Sequence, residues 1–245
     1  MARDEYLFDL CQEKKMGFFR LYSWEIPSFS FGVSQKITKA VNTEFIENNG
    51  CAYVRRITGG KTVLHNDEIT YSVVSSEDIF YKDNDLYRSY MLISKVLVDA
   101  FNAIGLDAYL SGGTPPDHLS LAKSSNPCFS FPTPNELEIG GKKIVGSAQK
   151  RNENALLQHG SIPLSMDYEL YARGAGSRPR IIERSMTTLN EVSDKTPDDL
   201  RCSLMNSFKA FIDRPLEDFE FDAKDKQHIA EIEKKYRSHH WNFRL

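Results

Sequence analysis

No stretch of the sequence is apolar for long enough to cross a bilayer, which takes about 20 consecutive predominantly apolar residues. Its four cysteines, Cys11, Cys51, Cys128 and Cys202, are widely spaced and form no CxxC pair. A zinc ribbon or a disulfide framework is therefore excluded, and with no HExxH run either, no metal site is expected. An excess of one charge is also missing: 31 Lys and Arg against 34 Asp and Glu leave a net charge of −3. That balance provides no footprint for nucleic acid and no polybasic membrane anchor. The start, Met1-Ala2-Arg3-Asp4-Glu5, carries acids where a signal peptide turns apolar. These absences together predict a cytoplasmic protein with reduced thiols and no membrane or nucleic-acid partner.

What is present is an ordinary globular composition, 245 residues with 40% hydrophobic and 27% charged, enough for one large core or two small ones. Phe18–Trp24, Ala52–Ile57 and Thr70–Val74 read as strands, rich in β-branched and aromatic residues. From Asp85 to Ile104, Leu86, Tyr90, Ile93, Leu97, Ala100 and Ile104 recur at helical spacing, and Gly105 stops the run. A short strand at Ala108–Leu110 precedes a Gly-, Pro- and Ser-rich stretch, Ser111–Pro134, that reads as a long loop. Glu136–Ile139 and Lys143–Gln149 read as two strands joined through Gly140-Gly141, a hairpin signal. Ala155–Leu164 is a further strand. Thr196 is placed to cap a helix begun by Pro197, with Leu200, Leu204, Phe208 and Phe211 as its apolar stripe. A mostly charged last helix spans about Asp222–Tyr236. The pattern predicts an α+β fold, a mixed or antiparallel sheet flanked by helices, in one domain over 1–245.

Three constellations carry chemistry. In Arg55-Arg56-Ile57-Thr58-Gly59-Gly60-Lys61, extending to His65, paired glycines let backbone N–H groups approach a ligand, and the cations suit a phosphate or carboxylate. The same residues also suit a hairpin turn with a solvated basic edge. In Gly140–Arg151, a lysine enters a small-residue strand where Gly146, Ser147 and Ala148 leave room for a ligand; Lys142 and Lys143 read equally well as exposed turn residues. In Asn126-Pro127-Cys128-Phe129, a cysteine sits in a Pro-bounded loop and becomes a nucleophile if a cation or base is near. Cys11, Cys51 and Cys202 have apolar neighbours and read as packing residues. His65 and His159 each follow an apolar stretch, where a histidine serves either as a core residue or to orient a ligand.

In their order, these segments resemble the lipoate–protein ligase A/B family of cofactor transferases. The resemblance runs through Tyr22–Gln35, through Arg55–His65 with Glu68 and Tyr71, through Lys143–Gln149, and through Leu157–Ile162 to a close at Lys235–Asn242, about residues 18–245. It implies a class II biotin/lipoyl ligase-like catalytic domain. The family divides by chemistry into ATP-dependent ligases, which form a lipoyl-adenylate, and octanoyltransferases, which work through a cysteine thioester. Three features resemble the second branch. Cys128 lies about fifteen residues before Lys143, Lys61 stands where ligases usually have a third glycine, and no C-terminal accessory domain is expected.

The resemblance thus implies an octanoyltransferase, without cofactor, that takes octanoyl from acyl carrier protein. The acceptor is a lysine of a lipoyl-domain protein, such as a glycine cleavage H protein or a dehydrogenase E2 domain. Cys128 and Lys143 are its expected catalytic residues. Arg55, Arg56, Thr58, Gly59, Gly60, Lys61, His65, Gly146, Ser147, Ala148 and His159 are its expected substrate-binding residues. Arg55, Arg56, Lys61, Lys142, Lys150 and Arg151 are expected to form a basic rim for an acidic carrier. The alternatives are a ligase that uses ATP and Mg, and an amidotransferase acting between lipoyl domains.

Overall fold

Two eight-residue strands, buried at every position, form the spine of the protein. The computed structural model describes residues 1–80, 86–112 and 135–245. The chain opens with helix α1 (Ala2–Lys14), strands β1 (Phe18–Tyr22) and β2 (Ser28–Phe31), and short helices α2 (Ile37–Ala40) and α3 (Thr43–Asn48). Strands β3 (Ala52–Arg55), β4 (Val63–His65) and β5 (Glu68–Ser75) lead to helix α4 (Leu86–Ala103). Strands β6 (Ala108–Leu110), β7 (Leu137–Ile139), β8 (Lys142–Lys143), β9 (Gly146–Arg151) and β10 (Leu156–Pro163) follow. Helices α5 (Tyr168–Gly174), α6 (Pro179–Ser185), α7 (Leu189–Val192), α8 (Pro197–Ile212), α9 (Ala223–Arg237) and α10 (His239–Asn242) complete the chain.

The main sheet is antiparallel in the order β1-β5-β10-β9. Side chains alternate across a strand, and here both faces are covered. Ile69, Tyr71 and Val73 of β5, with Leu156 and Ile162 of β10, pack against Ile93, Leu97 and Phe101 of α4 and Leu200, Leu204 and Phe208 of α8. On the opposite face Val74 and Leu157 meet Leu7, Phe8 and Cys11 of α1 and Ile229 and Tyr236 of α9. Double coverage explains why β5 and β10 have no solvent face. A second sheet, β3-β2-β4, pairs β2 with β3 in parallel and with β4 antiparallel. A third, β6-β7-β8, is a small antiparallel unit. The α+β class and the mixed and antiparallel sheets are as the sequence predicts.

The predicted helices 85–104, 197 onward and 222–236 appear as α4, α8 and α9. Thr196 and Asp199 form the capping box of α8, and Gly105 takes φ +85° just beyond α4. Asp85 and residues 113–134 of the expected loop lie outside the described residues. Two readings are corrected. Cys202 is exposed on α8, whereas Cys11 and Cys51 are buried, because position 202 falls between the stripes that Leu200 and Leu204 turn inward. The segment Lys143–Gln149 is not one strand. Gly140 and Gly141, with φ +58° and +76°, turn the β7–β8 hairpin as predicted, but the chain leaves that sheet after Lys143. Ile144 and Val145 enter the core, and β9 joins the main sheet from Gly146.

Candidate active site

Strand register stacks the polar residues of the main sheet into two rows on the face beneath α1. Arg20, Ser72, His159 and Ala148 stand side by side across four strands, and Tyr22, Thr70, Ser161 and Gly146 form the next row. Above the first row, α1 presents Asp4. Its carboxylate accepts from Arg20 Nη1 at 2.6 Å, from Tyr22 Oη at 3.0 Å and from His159 Nδ1 at 3.1 Å. Burial alone pushes the Asp4 carboxyl up, but the hydrogen bond from His159 and the charge of Arg20 hold it well below the usual carboxylate range. Burial disfavours the charged form of the His159 imidazole and pushes it down, and the Asp4 carboxylate, which only accepts, draws the ring proton to Nδ1. Its Nε2 is then an acceptor, and Thr58 Oγ1 donates to it at 2.8 Å.

A second chain runs through His65. The turn Asn66-Asp67 between β4 and β5 sets His65 beside Glu68, with Nδ1 2.7 Å from Oε1. Glu68 also accepts from the hydroxyls of Thr70 and Ser161. A carboxylate only accepts, so Nδ1 carries the proton and Nε2 accepts from Ser30 Oγ at 2.7 Å. Arg56 Nη1 donates to the same hydroxyl oxygen at 3.2 Å. The Trp24 ring stacks on His65 with centroids 4.2 Å apart, and its Nε1 donates to Thr70 Oγ1 at 3.0 Å.

The two histidines face one narrow cleft. Arg56, His65, Gly146, Ser147, Ala148 and His159 all line it, joined by Ser30, Thr70, Gly160 and Ser161. Six of the residues nominated from sequence thus converge there. Behind its wall, the Tyr71 and Ser147 hydroxyls are hydrogen-bonded at 2.6 Å, and Tyr71 Oη accepts from Gln158 Nε2 at 3.0 Å. Thr58, Gly59, Gly60 and Lys61 stand one step back. Thr58 holds His159, and the carbonyls of Gly59 and Lys61 accept from the Arg56 guanidinium at 2.8 and 2.7 Å.

Arg55 does not line the cleft. It is fully buried, and its guanidinium donates to the carbonyls of Val33, Gln35, Trp241 and Asn242 at 2.6–3.1 Å. It ties α10 to the chain following β2. The expected basic rim is corrected accordingly: the guanidiniums of Arg55 and Arg56 turn inward, where backbone carbonyls accept their hydrogen bonds.

Lys143 lies in the interior, its side chain 2% exposed, with Nζ 2.5 Å from Glu136 Oε1. The carboxylate gives the buried Lys143 side chain a partner where an unpaired charge would be costly to bury. Glu136 belongs to a backbone clasp. Ser111 N donates to Glu136 O at 2.8 Å, and Asn135 N to Ser111 O at 2.7 Å. Cys128 lies outside the described residues, in the segment 113–134 that this clasp joins at its two ends.

A model of the lipoyl protein ligase A/B catalytic domain matches residues 1–209. The chain belongs to that family. Octanoyltransferase LipM of Bacillus cereus is 35% identical to it over 260 residues, covering 100% of this chain and 93% of that protein. Octanoyltransferase LipM of Bacillus subtilis is 33% identical, with the same coverage. Among solved structures, lipoate-protein ligase A bound with ATP superposes with a TM-score of 0.82 at 23% identity, covering 99% of this chain and 92% of that one. The bi-partite lipoate protein ligase of Thermoplasma acidophilum gives 0.80 at 22% identity, covering 99% and 89%. The two structural likenesses show the fold.

The family match begins at residue 1, not at 18, and α1 contributes Asp4 to the site. Asp4, Ser30 and Glu136 are among the site residues the sequence reading missed, with Thr70, Gly160 and Ser161 of the cleft wall. Asp4, Leu7, Phe8 and Cys11 share one helical face, and an acid heading an apolar stripe was the available signal. Glu136 and Ser30 carried no comparable mark.

Proposed function

We propose that this chain is an octanoyltransferase that moves octanoyl from octanoyl-acyl carrier protein to a lysine of a lipoyl-domain protein, through a thioester on Cys128. The observation that carries the reading is similarity along the whole chain to octanoyltransferases LipM. A thioester donor is already activated, so exchange onto a cysteine needs no ATP. The thiolate attacks the donor's carbonyl carbon, the donor thiolate leaves, and the acyl group rests on sulfur until the acceptor amine displaces it. Lys143 serves as a fixed positive charge that favours the thiolate and the oxyanion. An eight-carbon acyl chain gains about 0.8 kcal/mol for each CH₂ it buries, and the small residues Gly146 and Ala148 are where the cleft would widen to take it.

The test is incubation with octanoyl-acyl carrier protein in the absence of ATP, followed by intact mass. An octanoyl adduct that disappears in Cys128→Ala supports the reading. No adduct, together with ATP-dependent modification of a lipoyl domain by free lipoate, overturns it.

A further inference from the structure

The last turn of α9 and the chain beyond it carry charge of one sign. Residues 234–244 include Lys234, Lys235, Arg237 and Arg244 and no Asp or Glu, although the whole chain is net negative at −3. We infer that this end of the molecule docks the acidic acyl carrier protein, and that a groove between β3 and α9–α10 receives its pantetheine arm. The inference rests on the octanoyltransferase reading and names where the donor binds.

The cations are held in place by the fold. Lys235 Nζ and the Arg244 guanidinium each lie 4.1 Å from the centroid of the Trp241 ring. Arg244 also donates to Val33 O at 3.2 Å, which sets it near the exposed Lys36 at the head of α2. Lys234 and Lys235 are answered by Glu231 and Glu5. Arg237, its side chain 83% exposed, meets Glu233 at 3.8 Å. Lys36, Arg237 and Arg244 are therefore the charges that a partner would meet. Side chains already ordered lose little freedom on binding, and exposed charges of this kind steer association with a partner of opposite sign. Arg55 and Arg56, turned inward, cannot supply that attraction.

Beside the basic end lies a groove of about 530 Å³, walled by Trp24, Tyr53, Tyr236, His239 and Phe243. That volume is in the range of small-molecule sites, about 300–1,000 Å³. Strand β3 is an edge of its sheet. Ala52 N and Arg56 N donate to the carbonyls of Pro27 and Phe31, so the peptide groups of Tyr53 and Arg55 point away from β2. Asn242 Oδ1 accepts from Arg55 N at 2.7 Å, and Trp241 Nε1 donates to Arg55 O at 2.8 Å. The peptide groups of Tyr53 point outward where Tyr53 lines the groove. A pantetheine arm is a thin chain with two amides, which can hydrogen-bond to a strand edge as an added peptide does. Met1 lines both the groove and the cleft, and Trp24 stacks on His65 of the cleft wall. An arm laid along the groove thus ends against the cleft.

The test is binding, which requires no acyl transfer. Affinities for holo acyl carrier protein, which has the arm, and for the apo carrier, which lacks it, are measured by titration calorimetry at low and high salt. The proteins are wild type, Arg237→Glu/Arg244→Glu, and Lys226→Glu, which makes a like change in the first half of α9; melting temperatures check that each is folded. Wild-type affinity is expected to fall about tenfold or more with salt. The double variant should bind both carriers about tenfold more weakly at low salt, and Lys226→Glu within about twofold of wild type. Wild type should prefer holo to apo carrier, and Ala52→Trp, which fills the groove, should lose that preference while binding the apo carrier as before. Undiminished affinity in the double variant, or affinity independent of salt, overturns the docking face. A holo preference that survives in Ala52→Trp, or is absent from wild type, overturns the groove. Weakened binding of a lipoyl domain with carrier binding intact gives the face to the acceptor and overturns the proposal as well. A wild type that binds the carrier but takes no octanoyl from it, and modifies a lipoyl domain with free lipoate and ATP, overturns the octanoyltransferase reading instead.

Discussion

The Cβ that Gly160 lacks would overlap the edge of the Tyr71 ring, so the Tyr71 hydroxyl reaches Ser147 on the cleft wall only because position 160 carries no side chain. Gly160 lies opposite Tyr71 in the pairing of β10 with β5 and opposite Ser147 in its pairing with β9. Gly160→Ala is expected to cost about 1–3 kcal/mol through overpacking and to lower transfer activity further by displacing Ser147. Tyr71→Phe, which keeps the ring and drops the hydroxyl, should retain most of the stability. Thermal melts of both variants, with activity measured below their midpoints, check this.

The Lys143–Glu136 pair predicts an asymmetry between stability and activity. Glu136→Gln leaves a buried ammonium facing a neutral amide and should destabilise the protein by about 3–5 kcal/mol, the usual cost of breaking a buried ion pair from one side. Lys143→Met with Glu136→Gln removes both charges and should regain much of that loss while remaining inactive. Denaturant unfolding of the single and double variants, read beside acyl transfer, decides whether the charge serves the reaction.

Arg55 was expected from sequence to bind substrate, and its geometry predicts a stability phenotype instead. Arg55→Lys keeps the charge but cannot reach carbonyls on both the segment after β2 and α10. A fall in melting temperature with an unchanged KM for the acyl donor is the expected outcome. A raised KM at full stability would return Arg55 to the binding site.

Acid should weaken the fold through the Asp4–His159 clamp. The His159 imidazole is pushed down by burial, so below the ordinary histidine value of about 6.5 the unfolded chain binds a proton that the folded one refuses. Stability therefore falls as pH drops through that value. Asp4, held below its ordinary range, adds a second loss at lower pH, beginning near the usual aspartate value of about 4. Melting temperatures between pH 8 and pH 5 should decline in wild type and stay flatter in His159→Gln, which cannot be protonated.

Sequence patterning revealed most of the scaffold because its signals are local. The α4 stripe, the Thr196 cap and the Gly140-Gly141 turn each depend on neighbours within a few residues. The cleft was half legible for the same reason: Arg56, His65, Gly146–Ala148 and His159 lie in short, marked segments. What stayed hidden is long-range. Asp4 reaches His159 across 155 positions and Arg55 reaches Asn242 across 187, and no periodicity records such pairings. Arg55 and Arg56 are adjacent and identical in chemistry, yet alternation along the chain sends one to the C-terminal helix and the other to the cleft.

The break at Ile144 and Val145 has a consequence for the whole site. The ammonium of Lys143 is anchored in the three-stranded hairpin unit, and the cleft wall from Gly146 onward is anchored in the main sheet. Only two aliphatic residues join them, both buried in the core. The separation between charge and cleft is thus set by hydrocarbon packing, as a spacer sets the gap between two plates. Thinning the spacer, as in Val145→Ala, would shift the cation against the acyl group while every polar residue remained in place.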